Sequence, residues 1–470
     1  MSFSPLLRFV AFALFSIAGA AVAALIVALG HGEPAGPFAT GCALNAFVGA
    51  LILVLGQGLP QGRSKRSGFR ELILALSIFW LVIPFAAGVP FFAQGLSLSD
   101  GWFETVSALT TTGAWLSEPT ARSLASGMLY RVLLEWLGGL TSLATAAAIF
   151  VRPEFVGVFT PNPPFARGKN DSYLRAFSRA MKAFLPVYFA LTVLGFALLF
   201  ATGVAPIQAA AMALSLIASG GLLPVAGGLF MFNPATITVV VLLMIISAVN
   251  FVVIARIALL GSSQFKRGPD RETRAFLLLI IPLSFLFWVS AGAGDWDKLP
   301  AQIVNAVSIL STNGLLMGET PQLTPVLVTT VIGGAAVSTA GGIKLLRWLI
   351  TFQRAGQELW QLGHPGGVTG EKQPMIFEFG VWIHTIAFTL VLASLTLTVA
   401  FFGYDLELAA ATAAAVVANA GPLLVAVEGS TADFVHFAEP LRIILAIGMI
   451  AGRLELVLLL LVIQREFWRS

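Results

Sequence analysis

Runs of about 20 apolar residues, each long enough to cross a hydrocarbon layer of about 30 Å, recur along the whole chain. They fall near Phe9–Leu29, Pro37–Leu59, Glu71–Phe92, Leu129–Phe150, Ala183–Phe200, Thr236–Leu260, Phe276–Ala291, Leu327–Ile350, Ile376–Phe402 and Leu441–Ile463. A water-soluble core does not account for this pattern, since only 11% of the 470 residues are charged, against about a quarter in soluble domains. The expected fold class is an all-α integral membrane protein of about ten helices. The first run follows Arg8 but is longer than the apolar core of a signal peptide, so it is read as a retained span.

Lys and Arg gather in alternate loops: Arg63, Lys65, Arg66 and Arg70; Arg167, Lys169, Arg175, Arg179 and Lys182; Lys266, Arg267, Arg271 and Arg274; Arg354 and Lys372; Arg465 and Arg469. The intervening loops carry Glu33, Asp100, Glu104, Asp295, Asp297, Asp405, Glu407, Glu428 and Asp433 instead. By the positive-inside rule both termini are expected in the cytoplasm, with the chain in the cytoplasmic (inner) membrane. The net charge of +4 is dispersed among these short loops and forms no continuous basic stripe, so lipid and not nucleic acid is the expected surroundings.

Other chemistries find little support. Cys42 stands alone, the four histidines (His31, His364, His384, His436) lack metal-ligand spacing, and no phosphate-cradling Gly-rich loop or P-loop Lys is present, so no cofactor is expected. Glu135, Glu378 and Glu455 are scattered through the spans without the pairing that intramembrane catalysis requires, and no catalytic residue is assigned. Arg131 and Glu135 are four apart on one helix face, as an intrahelical ion pair would be.

A fourfold recurrence carries more information. Glycines spaced by roughly a hundred residues end four semi-apolar segments that are too short to span: Thr110-Thr111-Thr112-Gly113-Ala114, Ala218-Ser219-Gly220-Gly221-Leu222, Ser311-Thr312-Asn313-Gly314-Leu315 and Ala418-Asn419-Ala420-Gly421-Pro422. Each follows a short helical stretch, Trp102–Leu109, Ile207–Ile217, Ala301–Leu310 or Leu408–Val417. Any one of them could be an ordinary external loop; four in register read as re-entrant half-helices that dip into the membrane and turn at the Gly motif. Non-helical backbone at that depth is tolerated where it is buried in protein or lines a water-filled path. The half-helix C-termini, each worth about half a negative charge, would then converge, and carbonyls together with the Thr112, Ser219 and Thr312 hydroxyls could replace a cation's hydration shell.

With those motifs in place the chain resembles the membrane-embedded, TrkH/KtrB-like subunit of the Trk/Ktr/HKT potassium transporter superfamily. The matching landmarks are Phe103 to Ala114 (FETVSALTTTGA), Arg131 to Gly139 (RVLLEWLGG), Ser338 to Lys344 (STAGGIK) with Leu345-Leu346-Arg347, Asn419-Ala420-Gly421-Pro422, Gly452-Arg453-Leu454-Glu455 and Glu466-Phe467-Trp468-Arg469. The resemblance implies four repeats of helix, pore half-helix and helix around one pore, after an N-terminal helix pair. On this chain the divisions are residues 1–62 for the pair and 63–160, 161–268, 269–366 and 367–470 for the repeats. It implies potassium uptake through filter residues Thr111, Thr112, Gly113, Ser219, Gly220, Thr312, Asn313, Gly314, Asn419, Ala420 and Gly421, with Gly113, Gly220, Gly314 and Gly421 as the filter glycines and potassium as substrate.

A gate is implied at Gly341 and Gly342, with Gly333-Gly334 upstream and Lys344 and Arg453 acting beside it; Arg347 fits either the gate or the membrane interface. The resemblance further implies a homodimer and a cytoplasmic ring of nucleotide-binding regulatory subunits, which the basic loops Arg167–Lys182 and Lys266–Arg274 could dock. Channel-like conduction and symport both stay open. The alternative substrate reading is a sodium-permeable or weakly selective pathway. It is prompted by Leu222 and Leu315 where aromatics are expected, Asn313 where Thr is usual, and Leu423 where Gly often follows Pro.

Overall fold

The computed structural model describes residues 3–57, 68–116, 125–149, 173–224, 228–260, 270–292, 294–364, 375–427 and 434–454. The loop residues Arg63, Lys65, Arg66, Arg167, Lys169, Lys266, Arg267, Lys372, Glu428 and Asp433, together with Glu455, Arg465 and the Glu466–Arg469 landmark, lie outside them.

Among the described residues the chain is all helical. The helices are α1 (Phe3–His31), α2 (Gly36–Gln57), α3 (Gly68–Leu81), α4 (Ile83–Ala87), α5 (Val89–Ala93), α6 (Leu98–Leu109), α7 (Ala125–Ile149), α8 (Tyr173–Ala201), α9 (Pro206–Ile217), α10 (Pro234–Ala248), α11 (Phe251–Leu260), α12 (Arg271–Ser290), α13 (Leu299–Leu310), α14 (Leu323–Ile332), α15 (Leu345–Gly363), α16 (Met375–Phe401), α17 (Leu406–Val417) and α18 (Glu439–Arg453). Among the described residues, seven helical spans are long and apolar enough to cross a membrane, and α10 with α11 makes an eighth if the bent pair is one span.

Helices α1 and α2 form a hairpin turned by Gly32 at φ 68° and Pro34, and α1 packs against α7 and α3. The hairpin tip also caps α7: the Glu33 carboxylate accepts hydrogen bonds from the Ala125 N–H at 2.8 Å and the Ser126 N–H at 3.0 Å. A carboxylate on these otherwise unpaired first-turn donors is where the helix dipole favours one.

Three expected straight spans are broken. The run from Glu71 is interrupted twice, where Pro84 and Pro90 each open a new short helix, α4 and α5. The run from Thr236 bends by 102° between α10 and α11 at Val249-Asn250, and the Asn250 side chain accepts the Val252 N–H at 3.1 Å. The run from Leu327 stops at Gly333, φ 73°, and resumes as α15 only at Leu345. Apolarity marks a stretch that is buried or in lipid; it does not show whether the backbone inside that stretch stays helical.

Candidate functional site: a ring of four capped turns

The four short helices α6, α9, α13 and α17 are each 12 residues long, about 18 Å at 1.5 Å per residue and therefore too short to cross a bilayer. Their starts are set locally: Ser97 accepts the Asp100 N–H on α6, and Pro206 and Pro300 stand in the first turns of α9 and α13. Their ends are alike. The N–H groups of Thr112, Gly220, Asn313 and Ala420 reach back five residues to the carbonyls of Ser107, Ser215, Ser308 and Ala415 at 2.9, 2.9, 2.9 and 2.7 Å. The preceding residues, Thr111, Ser219, Thr312 and Asn419, bond back three residues and sit in the left-handed region at φ 54–59°. This is the Schellman cap with a non-glycine residue at its left-handed position. For β-branched Thr111 and Thr312 that conformation is a costly outlier, and such strain persists where the surroundings over-determine it.

The register of the caps corrects one expectation. The glycine that follows the cap is Gly113 at φ 69°, Gly221 at φ 69° and Gly314 at φ 73°, so Gly221, and not Gly220, is the second repeat's counterpart of Gly113. Gly220 takes the place of Thr112, Asn313 and Ala420. A sequence signal for this exists: Ser107, Ser215 and Ser308 each stand six residues before these glycines. Two of these serines brace the outgoing limb, with Ser107 Oγ accepting the Ala114 N–H at 2.8 Å and Ser215 Oγ the Leu222 N–H at 2.9 Å. Gly421 departs from the other three: its backbone is not left-handed, and it opens a 3-10 turn over Gly421–Ala426.

The turns close on one another. A Cβ placed on Gly113 would fall 1.9 Å from the Gly220 carbonyl oxygen, and one on Gly221 1.9 Å from that of Asn313. One on Gly314 would fall 2.9 Å from the Leu423 nitrogen, and one on Gly421 2.7 Å from the Thr112 oxygen. Gly421 N–H also donates to Thr112 O at 2.6 Å, returning the sequence of contacts to the first turn. Four backbone segments thus form a closed ring in chain order with no room for side chains at the glycines. At the far end of α6 from the ring, Arg442 pairs with Asp100 at 3.0 Å, joining the starts of α18 and α6.

What the ring offers a ligand is carbonyl oxygen. The Thr111, Ser219, Thr312 and Asn419 carbonyls accept no hydrogen bond among the described residues, although these residues are buried. A buried carbonyl without a donor calls for water or a cation. The hydroxyls are committed elsewhere: Thr112 to Thr110 Oγ1 at 2.7 Å and to the Asn419 amide at 3.0 Å, Ser219 to Ala218 O at 2.7 Å, and Thr312 as acceptor of the Gly341 N–H at 2.7 Å. They brace the ring.

The segment between α14 and α15 lies against the ring. A Cβ on Gly341 would fall 1.8 Å from the Ala418 carbonyl oxygen, and Thr339 Oγ1 donates to Ile217 O at 3.1 Å and Ser247 O at 3.0 Å. Its backbone pairs with the α10–α11 bend, Phe251 N–H to Val337 O at 2.7 Å and Ala335 N–H to Ala248 O at 2.8 Å. Arg453 bridges this segment to α7, donating to Thr339 O at 2.7 Å and Ser142 Oγ at 2.7 Å. Lys344, in the left-handed region at φ 81°, folds its ammonium back onto Ala340 O. Gly341, Gly342, Lys344, Arg453, Ser142 and His384 line a cavity of about 30 Å³, room for a water or two.

Two further residues singled out in the sequence have defined partners. Arg131 uses its Nε on Glu104 of α6 at 2.8 Å, a buried inter-helix pair, because the half-helix is packed directly on α7. Glu104 also accepts the Leu116 N–H, as Asn305 accepts the Met317 N–H twelve residues on, so both outgoing limbs are tied to their own half-helices. Arg347 is buried and bonded to Ile343 O at 2.7 Å, because it lies on the inner side of α15, so it does not reach toward the interface. The described residues contain no group of His, Cys, Asp and Glu side chains able to hold a metal ion.

The chain is similar to known cation transport proteins. A family model described as "TrkH: Cation transport protein" matches residues 45–292. The Trk system potassium uptake protein TrkH of Vibrio parahaemolyticus is 29% identical, with the whole of both chains covered. TrkI of Halomonas elongata is 27% identical over 85% of this chain and 84% of its own, and TrkH of Escherichia coli K12 28% over 85% and 86%. The crystal structure of the potassium transporter TrkH from Vibrio parahaemolyticus superposes with a TM-score of 0.84, covering all of both chains at 27% identity.

Proposed function

The chain belongs to the TrkH family of cation transport proteins, and on that premise we propose that it takes up potassium across the cytoplasmic membrane through the ring of four turns. The observation that carries this reading is the closed ring itself: four helix C-termini with buried, unbonded carbonyls converge where no side chain fits. Four partial negative ends and a set of carbonyl oxygens offer a monovalent cation an electrostatic well and a substitute for its water. The ring glycines in this reading are Gly113, Gly221, Gly314 and Gly421. Thr111, Thr112, Ser219, Gly220, Thr312, Asn313, Asn419 and Ala420 hold the caps that present the carbonyls. The half-helices are re-entrant loops of four repeats, divided as in the sequence.

The 333–344 segment is the gate, with Gly341 and Gly342 against the ring and Lys344 and Arg453 placing positive charge in the path when it is closed. Relatives named as potassium uptake proteins favour potassium over the sodium-permeable alternative, and they favour a transporter over an enzyme. The working unit is a homodimer with both termini in the cytoplasm and a nucleotide-binding regulatory partner on that face. The test is growth of a potassium-uptake-deficient bacterium at low potassium, with and without a regulatory partner. Rescue by the wild type and its loss with Gly113→Ser is the expected result; equal rescue by both refutes the ring as the path.

A further inference from the structure

The second turn lacks a side chain at the position where the other three turns carry Thr112, Asn313 and Ala420. The space is occupied from behind. A Cβ placed on Gly220 would fall 2.2 Å from Oε2 and 2.9 Å from Oε1 of Glu135, so the carboxyl group of α7 rests on the Gly220 Cα. Helix α7 is brought this close by two glycines one turn further on: a Cβ on Gly138 would fall 1.7 Å from Leu109 O, and one on Gly139 3.1 Å from the Ala218 Cβ. Glu135 is fully buried, and neither oxygen has a hydrogen-bond partner at normal geometry.

The polar groups around Glu135 offset its burial only in part, through the Ser215 hydroxyl and the Arg131 charge. Arg131, one turn back on α7, is engaged by Glu104 at 2.8 Å. The Ser215 hydroxyl on α9 lies beside the carboxyl and accepts the Leu222 N–H. Tyr188 on α8 presents a phenol that is itself without a partner, Arg453 on α18 is bonded to Ser142 and Thr339, and α1 has no titratable residue between Arg8 and His31. A buried carboxyl is expensive even so, and its place directly against the ring points to a cation there as a further partner that comes and goes.

We propose that Glu135 is an affinity-determining residue of the ring: its carboxyl group, close behind the second turn, is the counter-charge for the cation held there. This rests on the ring being the cation path. Unlike the carbonyls, which any repeat supplies, the charge enters at one turn only, so the ring is electrostatically lopsided and binds a cation more tightly than four neutral turns would.

The test uses the full-length protein in lipid vesicles, with potassium influx measured against potassium concentration for the wild type, Glu135→Gln and Glu135→Asp. Glu135→Gln keeps the shape and removes the charge; it is expected to raise the half-saturating potassium concentration about tenfold with the maximal rate changed less than about twofold, and Glu135→Asp to restore most of the affinity. A purely packing role would spare Gln and penalise Asp, the reverse order. Wild-type vesicles that carry no potassium overturn the ring reading itself, whereas potassium-transporting wild type with an unshifted Glu135→Gln curve overturns only this inference. Should Glu135→Gln not assemble, the infrared difference spectrum of the wild type between potassium and choline decides: a perturbed carboxylate band supports the counter-charge, and its absence refutes it.

Discussion

The ring and the 333–344 segment touch, are both built of glycines against foreign backbone, and are held by opposite means. Each turn of the ring is fixed by bonds to its own half-helix, three to five residues back, and the limbs of the first three turns are tied to the same helix through Ser107 and Glu104, Ser215, and Asn305. The 333–344 segment is fixed mainly by distant groups: Ser247, Ala248, Phe251, Ile217, Thr312, Arg453 and the Glu272 carboxylate on the Ala336 N–H at 2.6 Å. Locally closed bonds survive a movement of neighbouring helices, and distant ones do not. Under the proposed function, a site that would keep its geometry while ions pass and a segment that would let go lie one against the other.

The largest effects test the ring. Gly221→Ala puts a methyl group 1.9 Å from a backbone oxygen at a left-handed position, and potassium uptake is expected to fall at least about a hundredfold, measured as vesicle influx. Gly220→Ala meets only the end of a flexible side chain, Glu135, so it retains a measurable fraction of the rate; equal loss in the two variants would break the assignment of Gly221 as the ring glycine. Next comes Arg453→Gln, which removes the bridge from Ser142 to Thr339. Influx without a regulatory partner is expected to rise roughly tenfold, the equivalent of about 1.4 kcal/mol, with ion preference unchanged.

Smaller effects sharpen the same contrast. The Thr111 hydroxyl has no partner, so Thr111→Gly relieves a left-handed threonine and costs no hydrogen bond; thermal melting in detergent should show stabilisation of about 1 kcal/mol. Thr312→Gly relieves equal strain but cuts the bond to Gly341, so it should loosen the gate. The smallest effect lies far from both regions. Partial burial pushes the Glu33 carboxyl up, but hydrogen bonds from Ser126 and Ala125 outweigh it and hold the group below its ordinary value of 4.5. Its cap on α7 is present above that value and is lost as pH falls through and below it. Glu33→Gln should lower stability by about 0.5–1 kcal/mol near neutral pH, and the gap from wild type should narrow as pH falls below the group's ordinary value.

Much of this architecture is legible in the sequence. Length and apolarity mark the spans, and the half-helices stand out because Pro, Ser or Asp opens each one and a Gly motif ends it. What escapes is backbone register and partnership. Gly220-Gly221 offers two glycines, and composition does not say which follows the cap; the serine six residues earlier does. Arg131 and Glu135 sit at pairing spacing on one helix, but the sequence does not show that tertiary packing also brings Glu104 onto the arginine or the Glu135 carboxyl behind Gly220. The breaks after Ile332 and at Val249-Asn250 lie within runs that are still predominantly apolar, because their backbone is paired to other segments and not to water.

The division of labour between ring and segment is tested most directly by measuring the potassium-to-sodium permeability ratio and the absolute flux, in the same vesicles, for the wild type, Gly221→Ser and Arg453→Gln. The expected result is a changed ratio in Gly221→Ser, and in Arg453→Gln a raised flux at an unchanged ratio. A ratio altered by Arg453→Gln and untouched by Gly221→Ser would contradict it.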